Sequence, residues 1–185
     1  MADVKGLART VWFLPAWGVV LWWTVRLGIT GRVAFETAIA VGSLLNFGIL
    51  LALTFLSDFR SERGADFGIR FKQNLQSAVL YAVIAALGVG AFHHGVAAEQ
   101  TAFRKLERER FIEQSLGDDV AYAALQEQDP QLAALDRDAA LERAKESLRF
   151  QFDPGWHVTA SLILLIATAA SCALFATLMG GFLRS

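Results

Sequence analysis

Hydrophobic and polar positions alternate along this chain in long blocks. Four apolar stretches stand out, at Val11–Val25, Thr37–Leu56, Ser77–Phe92 and Val158–Leu183. A helix needs about 20 apolar residues to cross the hydrocarbon core of a bilayer. The second and fourth stretches reach that length alone, and the other two reach it with their flanks. The pattern predicts membrane-spanning helices at about residues 10–29, 34–56, 77–95 and 156–183.

The first apolar stretch also has some features of a secretory signal. Lys5 and Arg9 precede it, as in the positive region of a signal peptide. The residues that follow it, Arg26 to Ile29, do not form a small-x-small cleavage pattern. The sequence therefore favours an uncleaved first span.

One sizeable polar block, residues 97–152, separates the third and fourth stretches. Apolar residues from Phe103 to Leu116 recur at helical spacing, Asp118 and Asp119 offer an N-cap, and a further amphipathic run follows Pro130. A structureless loop of this length is uncommon in a compact domain. The block therefore predicts a helical hairpin or three-helix cap outside the bilayer.

These elements predict an all-α fold. We expect an integral membrane four-helix bundle, a single membrane domain over residues 1–185, with an extracytoplasmic helical hairpin between spans three and four. The hydrophobic share of 55% exceeds the roughly 45–50% that is usual for soluble proteins. A net charge of -1 predicts no general attraction to nucleic acid, so membrane lipid is the expected environment.

The distribution of charge predicts how the chain is oriented. With the N-terminus inside, seven basic residues would lie in the cytoplasm, including those of the loop Ser57–Gln76, which also contains Asp58. Residues 97–153 carry eight basic and thirteen acidic side chains, a net charge of −5, which suits translocation. We therefore predict a multi-pass protein of the bacterial inner (cytoplasmic) membrane with its N-terminus and C-terminus in the cytoplasm.

Small residues recur every four positions on the last three predicted spans. Such residues let two helices approach closely in lipid. The candidate helix-packing residues are Gly42, Asn46, Ala82, Ala86, Gly90, Ala173 and Gly181. These stripes could serve contacts within the bundle or contacts with a partner's helices, and the pattern does not separate the two. The amide of Asn46, deep in a span, needs a hydrogen-bond partner, which is either another helix or a substrate.

The histidines are the candidate metal ligands. His93, His94 and His157 all fall at the predicted outer ends of spans three and four, with Glu99 and Asp153 close in sequence. Imidazole and carboxylate groups suit zinc or another transition metal. Adjacent histidines, however, point to different faces of an α-helix. The alternative is that the three histidines belong to an interfacial aromatic belt.

No motif points to catalysis or to a cofactor. The pairs Gly64/Gly68 and Gly88/Gly90 lack the strand and the further residues of a nucleotide-binding loop. No Asp, Glu, Lys or Arg lies near the middle of a predicted span, and no inverted repeat is visible, which argues against transport. The sequence predicts a non-enzyme without a cofactor.

The order of elements is similar to an uncharacterised bacterial membrane family, the domain of unknown function 4199. The local similarity is strongest from Gly64 to Lys72, where Phe67 and Phe71 resemble the two aromatic residues that follow a glycine in that family. The resemblance implies an inner-membrane location and brings no known activity or site residues.

The function that the sequence favours is a structural or accessory one. The chain would pack against other membrane subunits or against itself, and its acidic outer cap would either dock a partner or remain a solvated surface. The alternative is a small transporter or channel, or a metal-binding membrane protein, that works through Asn46 or the outer histidines.

Overall fold

The computed structural model describes residues 18–20, 23, 34–61, 64–128 and 135–183. Its elements are α1 (Phe35–Phe59), α2 (Phe67–Ala91), a π-helical turn (Phe92–Val96), α3 (Ala98–Gly117), α4 (Asp119–Gln128), α5 (Arg137–Gln151) and α6 (Pro154–Phe182). No strand occurs within these ranges, and the predicted all-α fold class is confirmed.

Three of the helices are long and apolar enough to cross a membrane: α1, α2 with its π-helical turn, and α6. They contain the predicted second, third and fourth spans. The predicted first span, residues 10–29, lies outside the described residues except for positions 18–20 and 23, which are helical. A four-span bundle and an extracytoplasmic position for the segment between α2 and α6 therefore stay predictions.

Helix α2 begins at Phe67, ten residues before the predicted start of the third span. Gly64, at a φ of +90°, turns the chain after α1, a conformation that glycine adopts without the steric cost of a Cβ. The polar residues that follow lower the hydropathy of this segment but do not interrupt the helix. The residues from Phe67 to Gln76, which the sequence assigned to the loop before the third span, therefore form the first turns of α2.

Small residues bring α2 and α6 together. Helix α2 contacts both α1 and α6 and packs most extensively against α6. The buried small residues on the two helices are Ala78, Ala82, Ala85, Ala86, Ala169, Cys172 and Ala173. At Gly90, a Cβ would lie 2.5 Å from Cγ2 of Val158. These small residues of α2 and α6 are thus buried inside the bundle.

A buried ion pair joins the ends of α1 and α2. Asp58 and Arg70 are only 2% and 7% exposed, although the sequence had placed them in a basic loop. Nε and Nη2 of Arg70 donate to Oδ1 of Asp58 at 3.0 and 2.8 Å, and Nη2 also donates to Oδ2 at 2.7 Å. Two charges of the segment that the sequence marks as a basic loop are therefore paired inside the bundle.

Helix α6 completes this network. Nη2 of Arg70 donates to the backbone carbonyl of Thr177 at 2.9 Å. The Asn74 amide donates to Oδ1 of Asp58 at 3.1 Å and to the hydroxyl oxygen of Thr177 at 3.0 Å. A buried charge is tolerated only when it is paired and its remaining hydrogen-bonding positions are satisfied. One network thus ties α1, α2 and α6 together at a single end of the bundle, called here the ion-pair end.

Gly180 makes room for this network. A Cβ at Gly180 would overlap the Asp58 carboxylate and would also approach Nη2 of Arg70 closely. A Cβ at Gly181, the residue that the sequence pattern selected, would lie 3.5 Å from Nη1 of Arg70, an ordinary contact. The close approach of α6 to the ion pair therefore depends on Gly180.

In the part of the chain that the structure describes, the segment between α2 and α6 folds into three helices. Asp118 and Asp136 cap α4 and α5 by accepting backbone N–H bonds. Leu116, Tyr122 and Ala140 form a small core. An ion pair of 2.8 Å between Arg104 and Glu36 attaches α3 to the start of α1. Helices α3 to α5 together are called here the helical insertion.

A first prediction concerns Gly180. Replacing Gly180 by Ala should lower the free energy of unfolding by about 1–3 kcal/mol, because the added methyl forces the ion pair or α6 to move. Gly181→Ala should have little effect, since its methyl meets only van der Waals contact. Titration with a denaturing detergent, followed by circular dichroism, compares both variants with the wild type. Equal losses in the two variants would contradict the close approach at Gly180.

A second prediction concerns the ion pair. Arg70→Met should cost about 3–5 kcal/mol because it leaves the Asp58 carboxylate buried without its cation. Combining it with Asp58→Leu should recover most of that loss, since no uncompensated charge remains. The control is Arg104→Met, which removes a more exposed ion pair and should cost less than about 1 kcal/mol. The same unfolding titration measures all three, and additive losses in the double variant would argue against a coupled pair.

Candidate functional site

A cavity of about 290 Å³ lies between α1, α2 and α6, with Val20 of the predicted first span also on its wall, at the end of the bundle opposite the ion pair. Its described lining combines apolar side chains with a few polar ones. The polar members are Ser43, Asn46, His93, His157, Ser161 and Thr168. No Asp, Glu, Lys or Arg occurs among the lining residues that the structure describes. Mostly apolar walls with a few placed polar groups are typical of small-molecule sites.

Asn46 lies on the wall of this cavity. Its Oδ1 accepts a 2.6 Å hydrogen bond from the hydroxyl of Tyr81, which is fully buried on α2. Its Nδ2 donates to the backbone carbonyl of Gly42, one turn earlier, at 3.0 Å. The amide therefore joins α1 to α2 and at the same time faces the cavity.

The three histidines converge above the cavity. Nε2 of His94 and Nδ1 of His157 are 2.7 Å apart, so one of the two rings donates and the other accepts. The rings of His93 and His157 stack with centroids 4.6 Å apart and an interplanar angle of 22°. Nδ1 of His93 also lies 3.3 Å from the hydroxyl of Thr101 on α3. His157 on α6 is thus contacted by two neighbouring residues of α2's extension.

The π-helical turn explains how adjacent histidines reach the same ring. On an α-helix, neighbouring side chains are separated by about 100°, which led to the expectation that His93 and His94 point apart. Here the amide of Ala97 bonds to the carbonyl of Phe92, five residues back, at 2.8 Å. The wider turn reduces the angle between successive side chains, and such turns are frequent at functional sites.

This arrangement favours hydrogen bonding between imidazoles over metal ligation. Two nitrogen ligands at about 2.0–2.1 Å from a tetrahedral zinc are about 3.3 Å apart, whereas those of His94 and His157 are closer. Stacked rings also place their nitrogens side by side instead of around one point. No group of three or more His, Cys, Asp or Glu in the described ranges is arranged to hold a metal ion. The metal assignment to His93, His94 and His157 stays a prediction.

The other candidate packing residues lie in two places. Gly42 is buried on the cavity wall, between Ile39 and Asn46. The remaining candidates are half-buried or buried within the contact of α2 with α6 or beside the ion pair, namely Ala82, Ala86, Gly90, Ala173 and Gly181.

Sequence analysis missed several polar residues of the cavity. Ser161 and Thr168 were not among the candidates, and they follow the candidate His157 at intervals of four and seven on one face of α6. Ser43 likewise lies one turn before Phe47 on α1. Hydroxyl side chains at helical spacing inside an apolar stretch were the available signal, but small hydroxyl residues are common in membrane helices and the spacing alone does not reveal a cavity.

No family model matches this chain, and neither a curated protein nor a solved structure is similar enough to count as a relative. The resemblance to the domain of unknown function 4199 therefore stays a prediction. The case for a function depends on the geometry of the bundle, the cavity and the helical insertion.

A third prediction tests the hydrogen bond between Asn46 and Tyr81. Asn46→Leu should lower the free energy of unfolding by about 0.6 kcal/mol, and by no more than about 2, as for other hydrogen bonds between membrane helices. Tyr81→Phe should cost a similar amount because it leaves Oδ1 of Asn46 without its donor. The double variant should lose less than the sum of the two, as measured by detergent unfolding.

The control for this cycle is Ser171→Ala. The Ser171 hydroxyl is exposed on α6 and bonds only to a carbonyl of its own helix, so its removal should change stability very little. Strictly additive effects of Asn46→Leu and Tyr81→Phe would show that the two side chains do not interact.

Proposed function

We propose that this protein is a non-catalytic integral membrane protein of structural or accessory type. It packs against other membrane subunits or a second copy of itself, and its helical insertion docks the partner. In this proposal the chain lies in the bacterial inner membrane with both termini in the cytoplasm and the insertion outside. The three long apolar helices and the acidic charge of the insertion support this arrangement.

The observation that carries the docking role is the exposure of aromatic side chains on a charged helix. Phe103 and Phe111 on α3 are 57% and 66% exposed, and Leu106 between them is 43% exposed. Apolar side chains that cluster on a water-facing element mark interaction sites more often than single exposed residues do. A bilayer would cover the apolar faces of α1 and α6, but α3 is too polar to be buried in hydrocarbon.

The interior of the bundle supports a structural role over conduction. Asp58 and Arg70 neutralise each other and bond to α6, so their charges hold helices together instead of facing a pathway. The small-residue stripes are used between α2 and α6. A partner in the membrane would therefore contact large exposed side chains such as Leu44, Ile163 and Leu178.

Two ion pairs attach α3 of the helical insertion to its neighbours. Arg104 pairs with Glu36 on α1, and Lys145 of α5 pairs with Glu113 of α3 at 2.7 Å. The hydrogen bond from Lys145 to the Glu113 carboxylate raises the pKa of the lysine. Helix α3 is thus held at both of its ends, which suits the presentation of a fixed surface.

A fourth prediction tests this proposal by co-purification. After extraction in mild detergent, native mass spectrometry should find the wild-type chain with a larger subunit or as a dimer. Phe103→Ser together with Phe111→Ser should weaken that association by at least about 30-fold, because truncating an aromatic anchor typically costs about 2 kcal/mol. The matched control is Phe59→Ser, an exposed aromatic at the ion-pair end, which should leave the association unchanged.

Two results would argue against the accessory role. One is a wild-type chain that runs as a clean monomer under the mildest extraction. The other is an association that Phe59→Ser disrupts as strongly as the double variant does, since the contact would then not involve α3.

A further inference from the structure

We propose that the cavity between α1, α2 and α6 is a binding site for a neutral, lipid-soluble molecule whose head group carries hydroxyl or carbonyl oxygens. This inference goes beyond the accessory role and does not depend on it. Three features of the cavity carry it, namely unused hydrogen-bonding capacity, absence of charge in the described lining, and access from the apolar outer face of the bundle.

Several polar groups on the wall have hydrogen-bonding capacity left. Asn46 uses one of its two amide hydrogens on Gly42, which leaves a second hydrogen available. The Ser161 hydroxyl has no hydrogen-bond partner among the described residues. His157 uses Nδ1 on His94 and retains Nε2. The Asn46 amide and the Ser161 hydroxyl can donate to oxygen atoms of a ligand, and Nε2 of His157 donates or accepts according to its tautomer.

The wall also offers acceptors. The hydroxyls of Ser43 and Thr168 donate to carbonyls of their own helices, at 3.0 and 2.8 Å, and keep their oxygen lone pairs. A head group with a hydroxyl could donate to either of them. A ligand that supplies matching polar atoms would form hydrogen bonds with these donors and acceptors, and the mostly apolar surroundings would strengthen those bonds.

The lack of charge sets the ligand class. The described lining contains no acidic residue, lysine or arginine. Arg104 and Asp153 act electrostatically on the lining histidines from outside the described lining, and Arg104 is paired with Glu36 at 2.8 Å. A phosphate or a carboxylate in the cavity would have to leave water without a counter-charge among the described lining residues, which is costly in a low-dielectric site. A neutral head group avoids that cost.

The position and size of the cavity indicate a lipid-soluble molecule. Phe47 and Leu164 line the cavity and are 49% and 65% exposed on the outer face of the helices. The apolar part of a ligand can extend past these two side chains into the surrounding hydrocarbon. A volume of about 290 Å³ is at the small end of ligand pockets, so it would enclose a head group and not a whole lipid.

Two membrane sources offer this chemistry. An isoprenoid quinone presents ring carbonyls, and a diacylglycerol presents a hydroxyl and ester carbonyls. Both are neutral, and both carry long apolar tails. The experiment therefore uses decylubiquinone and 1,2-dioctanoylglycerol as separate probes, with dioctanoyl phosphatidic acid as a charged counterpart of the second.

A fifth prediction follows for the full chain in detergent, titrated with each probe and observed by native mass spectrometry. At least one neutral probe should bind saturably with a stoichiometry of one. The neutral probe that binds identifies the source, and phosphatidic acid should bind at least about tenfold more weakly. Ser161→Leu should weaken binding of that neutral probe by about tenfold or more, because it removes a hydroxyl and fills the cavity.

The matched control is Ser171→Leu, the same substitution on the lipid-facing side of the same helix, which should change binding less than twofold. Should Ser161→Leu fail to fold, the smaller changes Ser161→Ala and Thr168→Val should each weaken binding severalfold. Partner recovery should be unaffected by these variants, which separates this inference from the accessory role. Absence of saturable binding, equal binding of phosphatidic acid, or equal effects of Ser161→Leu and Ser171→Leu would overturn it.

Discussion

A carboxylate and a guanidinium withdrawn from solvent govern how the apolar helices meet. Asp58, near the end of α1, and Arg70, in the first turns of α2, share three hydrogen bonds, and Thr177 of α6 supplies a further acceptor. In a medium of low dielectric constant, separating such charges is far more costly than separating apolar surfaces. The relative rotation and depth of the three helices are therefore set at this point, and Gly180 is the residue that lets α6 come close enough.

Polar residues along one face of α2 connect it to the neighbouring helices. Arg70, Asn74 and Tyr81 are spaced by four and seven residues, so they lie on one face of the helix, toward α1 and α6. Each makes a hydrogen bond to a neighbouring helix. Beyond Tyr81 lies the cavity, some of whose polar groups keep unused hydrogen-bonding capacity, and at its far side the bond between His94 and His157 joins the π-helical turn to α6. Hydrogen bonds thus join the helices closely at the ion-pair end, whereas the cavity at the other end leaves hydrogen-bonding groups available.

Much of the helical architecture can be predicted from the sequence, because long apolar stretches indicate membrane-spanning helices and capping aspartates indicate helix N-termini. The network at Asp58 and Arg70 cannot be predicted in this way, since hydropathy assigns charged residues to loops and a single sequence does not tell which charges pair. Likewise, the stripe that contains Ala173 and Gly181 indicated close helix contact but not its partner, and the tightest approach falls one residue away, at Gly180. The convergence of His93 and His94 depends on a π-helical turn that no residue pattern announced.

Helix α2 and its π-helical turn end directly at the N-cap of α3, Ala97, whose amide bonds back to Phe92 and whose carbonyl accepts from Thr101. The same junction therefore forms part of the cavity wall, through Phe92 and His93, and the base of the helical insertion, through Ala97 and α3. Its geometry fixes where the insertion emerges relative to the cavity.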